Sequence, residues 1–256
     1  MFNLKNKKII ITGASKGLGA VSATALADHE AILVLMARTK SQLEEVRQSC
    51  RNPDNHLIVP ADLTDPKELL KGIESVNDFL GGIDVVLHVL GGGLGMHDPL
   101  LGANDFIKLL TLNLCVASEI NRMIVPDMIK QGGGNLVHVA SIASIEATGS
   151  VGYNTSKAAL AAYVRSLGNQ MAGTGIVVTG ILPGGFHAPG NAMDRLEKAK
   201  PEIYKDFIEE RLPRKFMGKA EELIPLLLFL CSDKASMMSG CMVPVDAGEG
   251  KAYLQA

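Results

Sequence analysis

The sequence predicts an α/β fold: one doubly wound, parallel sheet of about seven strands with helices on both faces. Short apolar runs alternate with helical patterns along the whole chain of 256 residues, which is typical of parallel sheets. Several of these runs lack polar alternation, as expected for strands that are covered on both faces. No repeat, low-complexity tract or linker divides the chain, so we expect a single domain over residues 1–256.

The elements follow from these patterns in order along the chain. Apolar, β-rich runs predict strands, and apolar residues at helical spacing between them predict helices. Ligands on such sheets bind at the carboxyl ends of the strands, where the winding reverses, so chemistry is expected directly after a strand. The predicted strands are 8–12, 31–37, 56–61, 85–90, 135–140, 176–182 and 242–245, and the predicted helices are 17–28, 40–50, 66–80, 104–130, 153–172 and 219–231.

Composition excludes several classes of function. A formal charge of −2 gives no electrostatic reason to expect nucleic acid or an anionic membrane as a partner. The longest apolar run, 224–231, contains a proline and is too short to cross a bilayer, and the N-terminus lacks a signal-type apolar run. The four cysteines lie far apart, as in a reduced protein, so we expect a cytoplasmic location. His88 and His138 have no carboxylate or cysteine at matching spacing, and we predict no metal site.

A glycine-rich turn, TGASKGLG at residues 12–19, follows the first predicted strand. Glycines before a helix let a ligand approach the helix N-terminus closely. Such a terminus binds phosphate, because its free N–H groups and the helix dipole favour an anion. The spacing is not G-x-G-x-x-G, so the turn alone is a weak signal. Residues 13–17 also match G-x-S-x-G, the hydrolase elbow, with Ser15 as nucleophile; the turn stands on the first strand and the last histidine is His187, which both disfavour a hydrolase.

The end of the second predicted strand favours NADP over NAD. An acid near this position holds the ribose 2′-hydroxyl of NAD, whereas an arginine accommodates the 2′-phosphate of NADP. Here Arg38 is present and the acid is missing, and Lys16 lies within the glycine turn. The alternative is that Arg38 is only a solvated arginine at a strand end. The neighbouring glycine turn favours a phosphate ligand instead.

Four polar residues form a candidate catalytic set. Tyr153 and Lys157 lie one helical turn apart, and a nearby ammonium would lower the pKa of the phenol and make it a usable acid. A surface pair is the alternative for these two residues. Ser141 follows a strand and could donate to a carbonyl oxygen, although such residues are usually caps. Asn113 lies inside a predicted helix, where an amide needs a partner or a purpose.

Together these motifs resemble the short-chain dehydrogenase/reductase family over essentially the full length of the chain. The matching segments are TGASKGLG at 12–19, Asp62-Leu63, Asn113, Ser141, YNTSK at 153–157, Pro183-Gly184 and VPVDAG at 243–248. The resemblance implies a Rossmann-type fold and hydride transfer between NADP(H) and a carbonyl or alcohol.

The resemblance also implies roles for individual residues. Tyr153 would be the general acid or base, Lys157 would lower its pKa and bind the nicotinamide ribose, Ser141 would polarise the substrate oxygen, and Asn113 would hold a water. The nucleotide would lie against the phosphate turn, with adenine at Asp62 and the carboxamide at 183–186. The implied cofactor-binding residues are Thr12, Gly13, Ser15, Lys16, Gly17, Leu18, Gly19, Arg38, Asp62, Leu63, Gly91, Tyr153, Lys157, Pro183, Gly184 and Phe186.

The chain departs from the family pattern outside the catalytic set. The usual Asn-Asn-Ala-Gly reads HVLG at 88–91, and Ala188 replaces a threonine expected after Pro-Gly. The charged segment 186–217, bounded by glycines and prolines, is expected to form a substrate lid. The resemblance implies a homotetramer (or homodimer) assembled through helices 104–130 and 153–172. We expect a reductase of a 3-oxoacyl thioester or another hydrophobic carbonyl; the alternative, motivated by the altered 88–91 motif, is a non-catalytic NADP-binding sensor or scaffold.

Overall fold

The computed structural model describes residues 2–252 and is organised around one seven-stranded, fully parallel sheet. The strand order is β3-β2-β1-β4-β5-β6-β9, so the winding reverses between β1 and β4. This confirms the predicted doubly wound α/β fold. The strands of the sheet are β1 (Lys8–Thr12), β2 (Ile32–Ala37), β3 (Leu57–Pro60), β4 (Val85–His88), β5 (Gly134–Val139), β6 (Ile176–Pro183) and β9 (Met242–Val245).

Helices cover both faces of this sheet. Ile9 and Ile11 of β1 are fully buried in one apolar core, and Ile10 between them is fully buried in the other. Two cores explain why the strand sequences are continuously apolar rather than alternating. The helices are α1 (Gly17–Asp28), α2 (Lys40–Ser49), α3 (Pro66–Leu80), α4 (Ala103–Leu110), α5 (Val116–Lys130), α6 (Val151–Met171), α7 (Ala192–Ala199), α8 (Pro201–Arg211) and α9 (Ile224–Leu230).

The predicted helix 104–130 is interrupted. A π-helical turn, Thr111–Cys115, separates α4 from α5. Within it, Asn113 Nδ2 donates to the carbonyl of Leu109 at 2.9 Å, so the side chain takes up an acceptor four residues earlier in the helix. Side chains that bond the preceding turn locally deform a helix, and π-turns often mark functional sites. The Asn113 amide therefore has a hydrogen-bond partner, as expected for a polar side chain inside a helix.

The region after β6 is more elaborate than its sequence pattern indicated. Segment 186–217 contains a short strand and two helices, α7 and α8. The strand, β7 (Phe186–His187), pairs in parallel with β8 (Gly218–Lys219) outside the main sheet. The predicted helix 219–231 is shorter as an α-helix, because a 3-10 turn at Ala220–Leu223 precedes α9.

Candidate active site

The glycine turn joins β1 to the N-terminus of α1. Helix α1 begins without a side-chain cap, unlike α3, whose first N–H groups are bound by Asp65. A β-carbon on Gly19 would lie 2.3 Å from the carbonyl oxygen of Gly13, so only glycine allows this tight turn. Thr12 is buried, and its hydroxyl accepts a hydrogen bond from Leu90 N at 3.3 Å, which ties the ends of β1 and β4 together. The uncapped helix start could hold a phosphate group.

The residues around this turn divide into buried and accessible groups. Gly17, Leu18 and Gly19 are buried within the turn and the first turn of α1, while Ser15 is half-buried and Lys16 is exposed. The lysine side chain is therefore available to an anionic ligand at the sheet edge, and the buried residues shape the backbone that would receive it.

The ends of β2 and β3 bring two further predicted residues together. Asp62 accepts hydrogen bonds from the hydroxyl and N–H of Thr64, and these bonds lower the pKa of its carboxyl group, with the charge of Arg38 contributing in the same direction. Arg38 is exposed, whereas the side chain of Leu63 is buried in the core. An exposed guanidinium here could bind a phosphate next to the ribose position.

Asn113 and Lys157 converge on the turn that follows β4. Asn113 exchanges two hydrogen bonds with Gly92, accepting from its N–H and donating to its carbonyl, both at 2.9 Å. A β-carbon on Gly91 would lie 2.7 Å from Asn113 Oδ1 and 2.9 Å from Lys157 Nζ. Both side chains thus reach the same point, and glycine at position 91 leaves room for them.

Lys157 is an unusually buried lysine. It is 3% exposed, and its Nζ donates to the carbonyl of Val139 at 2.9 Å, at the end of β5. Burial disfavours the charged form and lowers the pKa of its ammonium group to about 8. The Nζ atom lies 5.9 Å from the centre of the Tyr153 ring.

Tyr153 and Ser141 form the outer part of the same cluster. Burial raises the pKa of the Tyr153 phenol, and a hydrogen bond with Ser141 partly opposes this rise. The net direction is thus opposite to the one expected from a neighbouring ammonium, because desolvation of the phenolate dominates and Lys157 Nζ is directed at the carbonyl of Val139. The Ser141 hydroxyl also accepts a hydrogen bond from Ala143 N at 3.1 Å, which fixes its position.

The turn after β6 closes the opposite side of the cleft. Pro183 is buried at the end of β6, and Gly184 and Phe186 are half-buried. Farther along, the carbonyl of Pro189 accepts a hydrogen bond from Gly17 N at 3.0 Å, so the start of segment 186–217 contacts the phosphate turn directly. The predicted cofactor residues that follow the first and sixth strands are therefore brought together at the carboxyl edge of the sheet.

A buried polar cluster under this groove was missed by sequence reasoning. The rings of His88 on β4 and His138 on β5 stack with their centres 4.6 Å apart. Asn121 of α5 links them, with Oδ1 2.9 Å from His88 Nε2 and Nδ2 3.4 Å from His138 Nε2, and it donates to Tyr163 Oη at 3.0 Å. Burial lowers the pKa of both imidazoles, that of His88 to about 4. The signal was present in the sequence, since each histidine lies within a predicted strand, and the structure pairs the two residues in register on neighbouring strands.

The part of the chain that the structure describes contains no group of three or more His, Cys, Asp or Glu side chains arranged to bind a metal ion. Within the same residues, no helix is both long and apolar enough to span a membrane. The convergent side chains are a phenol, a hydroxyl, an amide and an ammonium at the carboxyl edge of the sheet. This set can donate and accept protons at an oxygen atom beside a nucleotide groove.

Comparison with known proteins agrees with this arrangement. The chain is 27% identical over 247 residues to the 3-oxoacyl-[acyl-carrier-protein] reductase FabG of Thermotoga maritima, covering 96% of this chain and 98% of the relative. Its structure is similar to that of L-sorbose reductase from Gluconobacter frateurii complexed with NADPH and L-sorbose, with a TM-score of 0.88 and 28% identity over 97% of this chain and 98% of the other.

A second similar structure contains the other nicotinamide cofactor. It is a 7α-hydroxysteroid dehydrogenase complexed with NADH and 7-oxo glycochenodeoxycholic acid, with a TM-score of 0.86 and 27% identity over 96% of each chain. The family model described as short chain dehydrogenase matches residues 7–199. By that match and by its seven-stranded fold, the chain belongs to the short-chain dehydrogenase family of oxidoreductases.

Proposed function

We propose that the protein is an NADP(H)-dependent carbonyl reductase in which Asn113, Ser141, Tyr153 and Lys157 form the catalytic set. The observation that carries this proposal is their convergence: Ser141 partly opposes the rise in the pKa of Tyr153, Lys157 Nζ lies 5.9 Å from the Tyr153 ring, and Lys157 and Asn113 meet at Gly91. They lie at the strand ends, beside the reversal point of the sheet, where ligands of such folds bind.

The protonation states suit reduction. A raised pKa keeps the Tyr153 phenol protonated at neutral pH, so it can donate to an oxygen that becomes an alkoxide. Ser141 donates to the same oxygen and orients the carbonyl. Lys157, with a pKa of about 8, is mostly charged at pH 7 and stabilises the phenolate that remains. The nicotinamide cofactor supplies the hydride when it is bound.

The cofactor preference rests on this chain's own cations, because family members use either dinucleotide. Lys16 and Arg38 are both exposed and lie beside the helix start and the end of β2. We assign them to the 2′-phosphate of NADP, with Asp62 beside Arg38 at the adenosine end. The named NADPH complex of L-sorbose reductase supports this assignment by analogy.

For the substrate we propose a 3-oxoacyl thioester or another hydrophobic carbonyl compound. The FabG-type relative supports a 3-oxoacyl group. Segment 186–217, whose helices α7 and α8 follow the carboxamide turn, is proposed as the substrate lid. We further propose a homotetramer built on the helices around α5 and α6, which light scattering of the purified protein measures.

The test is NADPH oxidation by the wild type and Tyr153→Phe with a panel of ketones and 3-oxoacyl thioesters. Removing a general acid is expected to lower kcat roughly 10²–10⁴-fold. Tyr163→Phe is the matched control, because it removes a hydroxyl from the same helix outside the catalytic set. Retained turnover in Tyr153→Phe contradicts the role of the tyrosine. NADPH binding by a wild type that reduces no compound of the panel supports the sensor or scaffold alternative.

A further inference from the structure

One ion pair joins the segments that surround the proposed substrate site. Arg211, in the last turn of α8, donates from Nη2 to Glu249 Oε1 at 2.9 Å and from Nη1 to the carbonyl of Thr148 at 3.1 Å. Glu249 Oε2 in turn accepts from Gly185 N at 2.5 Å. Thr148 belongs to the loop between Ser141 and Tyr153. A single arginine thus connects the lid to that loop directly, and to the carboxamide turn through one carboxylate.

The pair is built into the protein rather than lying on its surface. The side chain of Glu249 is 3% exposed and that of Arg211 is 35% exposed. The guanidinium carbon of Arg211 lies 4.9 Å from the centre of the Phe207 ring, and a β-carbon on Gly185 would come within 2.9 Å of that ring. A buried carboxylate that accepts hydrogen bonds from an arginine and from a backbone N–H constrains both donors more strongly than an exposed ion pair does.

The chain around Glu249 is anchored independently. Asp246 accepts hydrogen bonds from the N–H groups of Gly248 and Gly250, both at 3.0 Å. Glu146, in the loop that also contains Thr148, accepts from Lys251 N at 2.7 Å. The chain on both sides of Glu249 is therefore held by hydrogen bonds that do not involve Arg211.

We infer that Arg211 and Glu249 are positioning residues, which set the carboxamide turn at 183–186 and the loop at 145–150 in the geometry that hydride transfer requires. This inference rests on the proposed function. The pair touches the backbones of both segments rather than the reacting atoms. When the lid helix is in place, Arg211 neutralises Glu249 and draws the Thr148 carbonyl towards the C-terminal segment. Without Arg211, Glu249 remains buried with Asp246 and Glu146 as its charged neighbours.

The chain offers matched controls for both members of the pair. Arg47 has the same bonding pattern as Arg211, since it pairs with Glu44 and donates to the carbonyl of Pro53, yet it lies on α2. Glu44 is the matching control for Glu249, because it is the carboxylate partner of Arg47 on α2. Arg47→Met and Glu44→Gln therefore each remove an ion pair of this kind away from the two positioned segments.

The first experiment is a double-mutant cycle in kcat/KM with Arg211→Gln, Glu249→Gln and both together. Each single change is expected to lower kcat/KM about 10- to 100-fold, because small misplacements of reacting groups are costly. The double variant is expected to be no worse than the poorer single variant, since the pair acts as a unit. Arg211→Lys, which keeps the charge but not the fork of donors, is expected to retain intermediate activity. Single effects below two-fold, or effects that add fully, would overturn the inference.

The second measurement is independent of turnover and cofactor. Amide hydrogen exchange of the cofactor-free protein is expected to be faster at 145–150 and 183–186 in Arg211→Met than in the wild type. It is also expected to be faster there than in Arg47→Met when the two variants have lost the same amount of Tm. Unchanged exchange in both segments would overturn the inference. If the wild type reduces no carbonyl, the proposed function fails and the exchange data alone decide whether the pair positions these segments.

Discussion

The proposed cofactor side and the proposed substrate side of the site are built from different kinds of contact. On the cofactor side, β1 to β3 and α1 form the site from a short glycine turn and the ends of adjacent strands. On the substrate side, contacts join residues far apart in the chain: Arg211 to Thr148 across 63 positions, Glu249 to Gly185 across 64 and Glu146 to Lys251 across 105. The cofactor side can therefore be predicted from local sequence motifs, whereas the contacts of the substrate side can be identified only from the three-dimensional structure.

Strands β4 and β5 form the border between these two sides. Lys157 bonds the end of β5, and Asn113 bonds the turn after β4. His88 and His138 stack directly across the same two strands. If the two sides are separable, changes on the cofactor side should alter dinucleotide binding alone, and changes at the border should alter stability as well.

The largest effect is expected from the cofactor side. Arg38→Ala removes a guanidinium from the proposed 2′-phosphate site, and a hydrogen bond to a charged group contributes about 1.5–3 kcal/mol. We therefore expect kcat/KM for NADPH to fall roughly 10- to 100-fold while that for NADH and the KM for the carbonyl substrate stay unchanged. Steady-state kinetics with both dinucleotides measure this, and Arg51→Ala, an exposed arginine in the α2–β3 connection, is the control. Equal losses with NADPH and NADH would place Arg38 outside the phosphate site.

A smaller effect, in stability, is expected at the border. The pKa of Lys157 is lowered from 10.5 to about 8, so at pH 7 the folded chain holds an ammonium that burial disfavours. Below pH 8 this cost is fully present, and it fades as the pH rises towards 10.5. Lys157→Met is expected to raise the free energy of unfolding at pH 7 by about 1–3 kcal/mol, allowing for the lost bond to Val139.

Urea unfolding of the cofactor-free protein at pH 7 and pH 10 measures this difference. The gain in Lys157→Met should narrow at pH 10, whereas Lys71→Met, at an exposed position of α3, should show no such dependence. A Lys157→Met protein less stable than the wild type at pH 7 would show that the ammonium stabilises the fold.

The same division explains what could be predicted from the sequence. The seven predicted strands match the sheet closely, because buried parallel strands are continuously apolar. The convergence of Asn113, Tyr153 and Lys157 was expected only from the family resemblance, since their spacing alone left a surface pair and a buried amide as alternatives. The π-turn at Thr111–Cys115 could not be predicted, because it depends on where the Asn113 amide finds its acceptors. The raised pKa of Tyr153 was missed because sequence spacing contains no information on desolvation.

The Arg211–Glu249 pair lay beyond prediction for a related reason. Segment 186–217 contains many charged residues, and nothing in the sequence distinguishes Arg211 from Arg214, whose pair with Glu222 is exposed. The carboxylate partners separate the two pairs, because Glu249 is 3% exposed and Glu222 is 47% exposed, and the burial of Glu249 depends on how the C-terminal segment packs. Local sequence patterns thus predict the residues of the cofactor side. On the substrate side, tertiary packing determines which charged residues form buried ion pairs.

The smallest effect is expected at the histidine pair, and it would sharpen the border between the two sides. Burial lowers the pKa of His88 from 6.5 to about 4, and that of His138 falls in the same direction. Above pH 6.5 both imidazoles are neutral in the folded and in the unfolded chain, so they do not change the free energy of unfolding. Below pH 6.5 the unfolded chain binds protons at these imidazoles that the folded chain does not bind. The wild type should therefore lose stability as the pH falls from 6.5 towards 4.

His88→Asn removes one of these two titrations and leaves a smaller side chain. At pH 7.5 we expect the variant to be about 1 kcal/mol less stable, because its packing is poorer. Between pH 7.5 and pH 5 this deficit should shrink by about 1–2 kcal/mol, since the wild type alone pays for excluding the second proton. Urea unfolding at both pH values measures the change, with His97→Asn in the exposed loop after β4 as the control. If the wild type and His88→Asn lose stability in parallel, the stacked pair does not set the acid sensitivity of the fold.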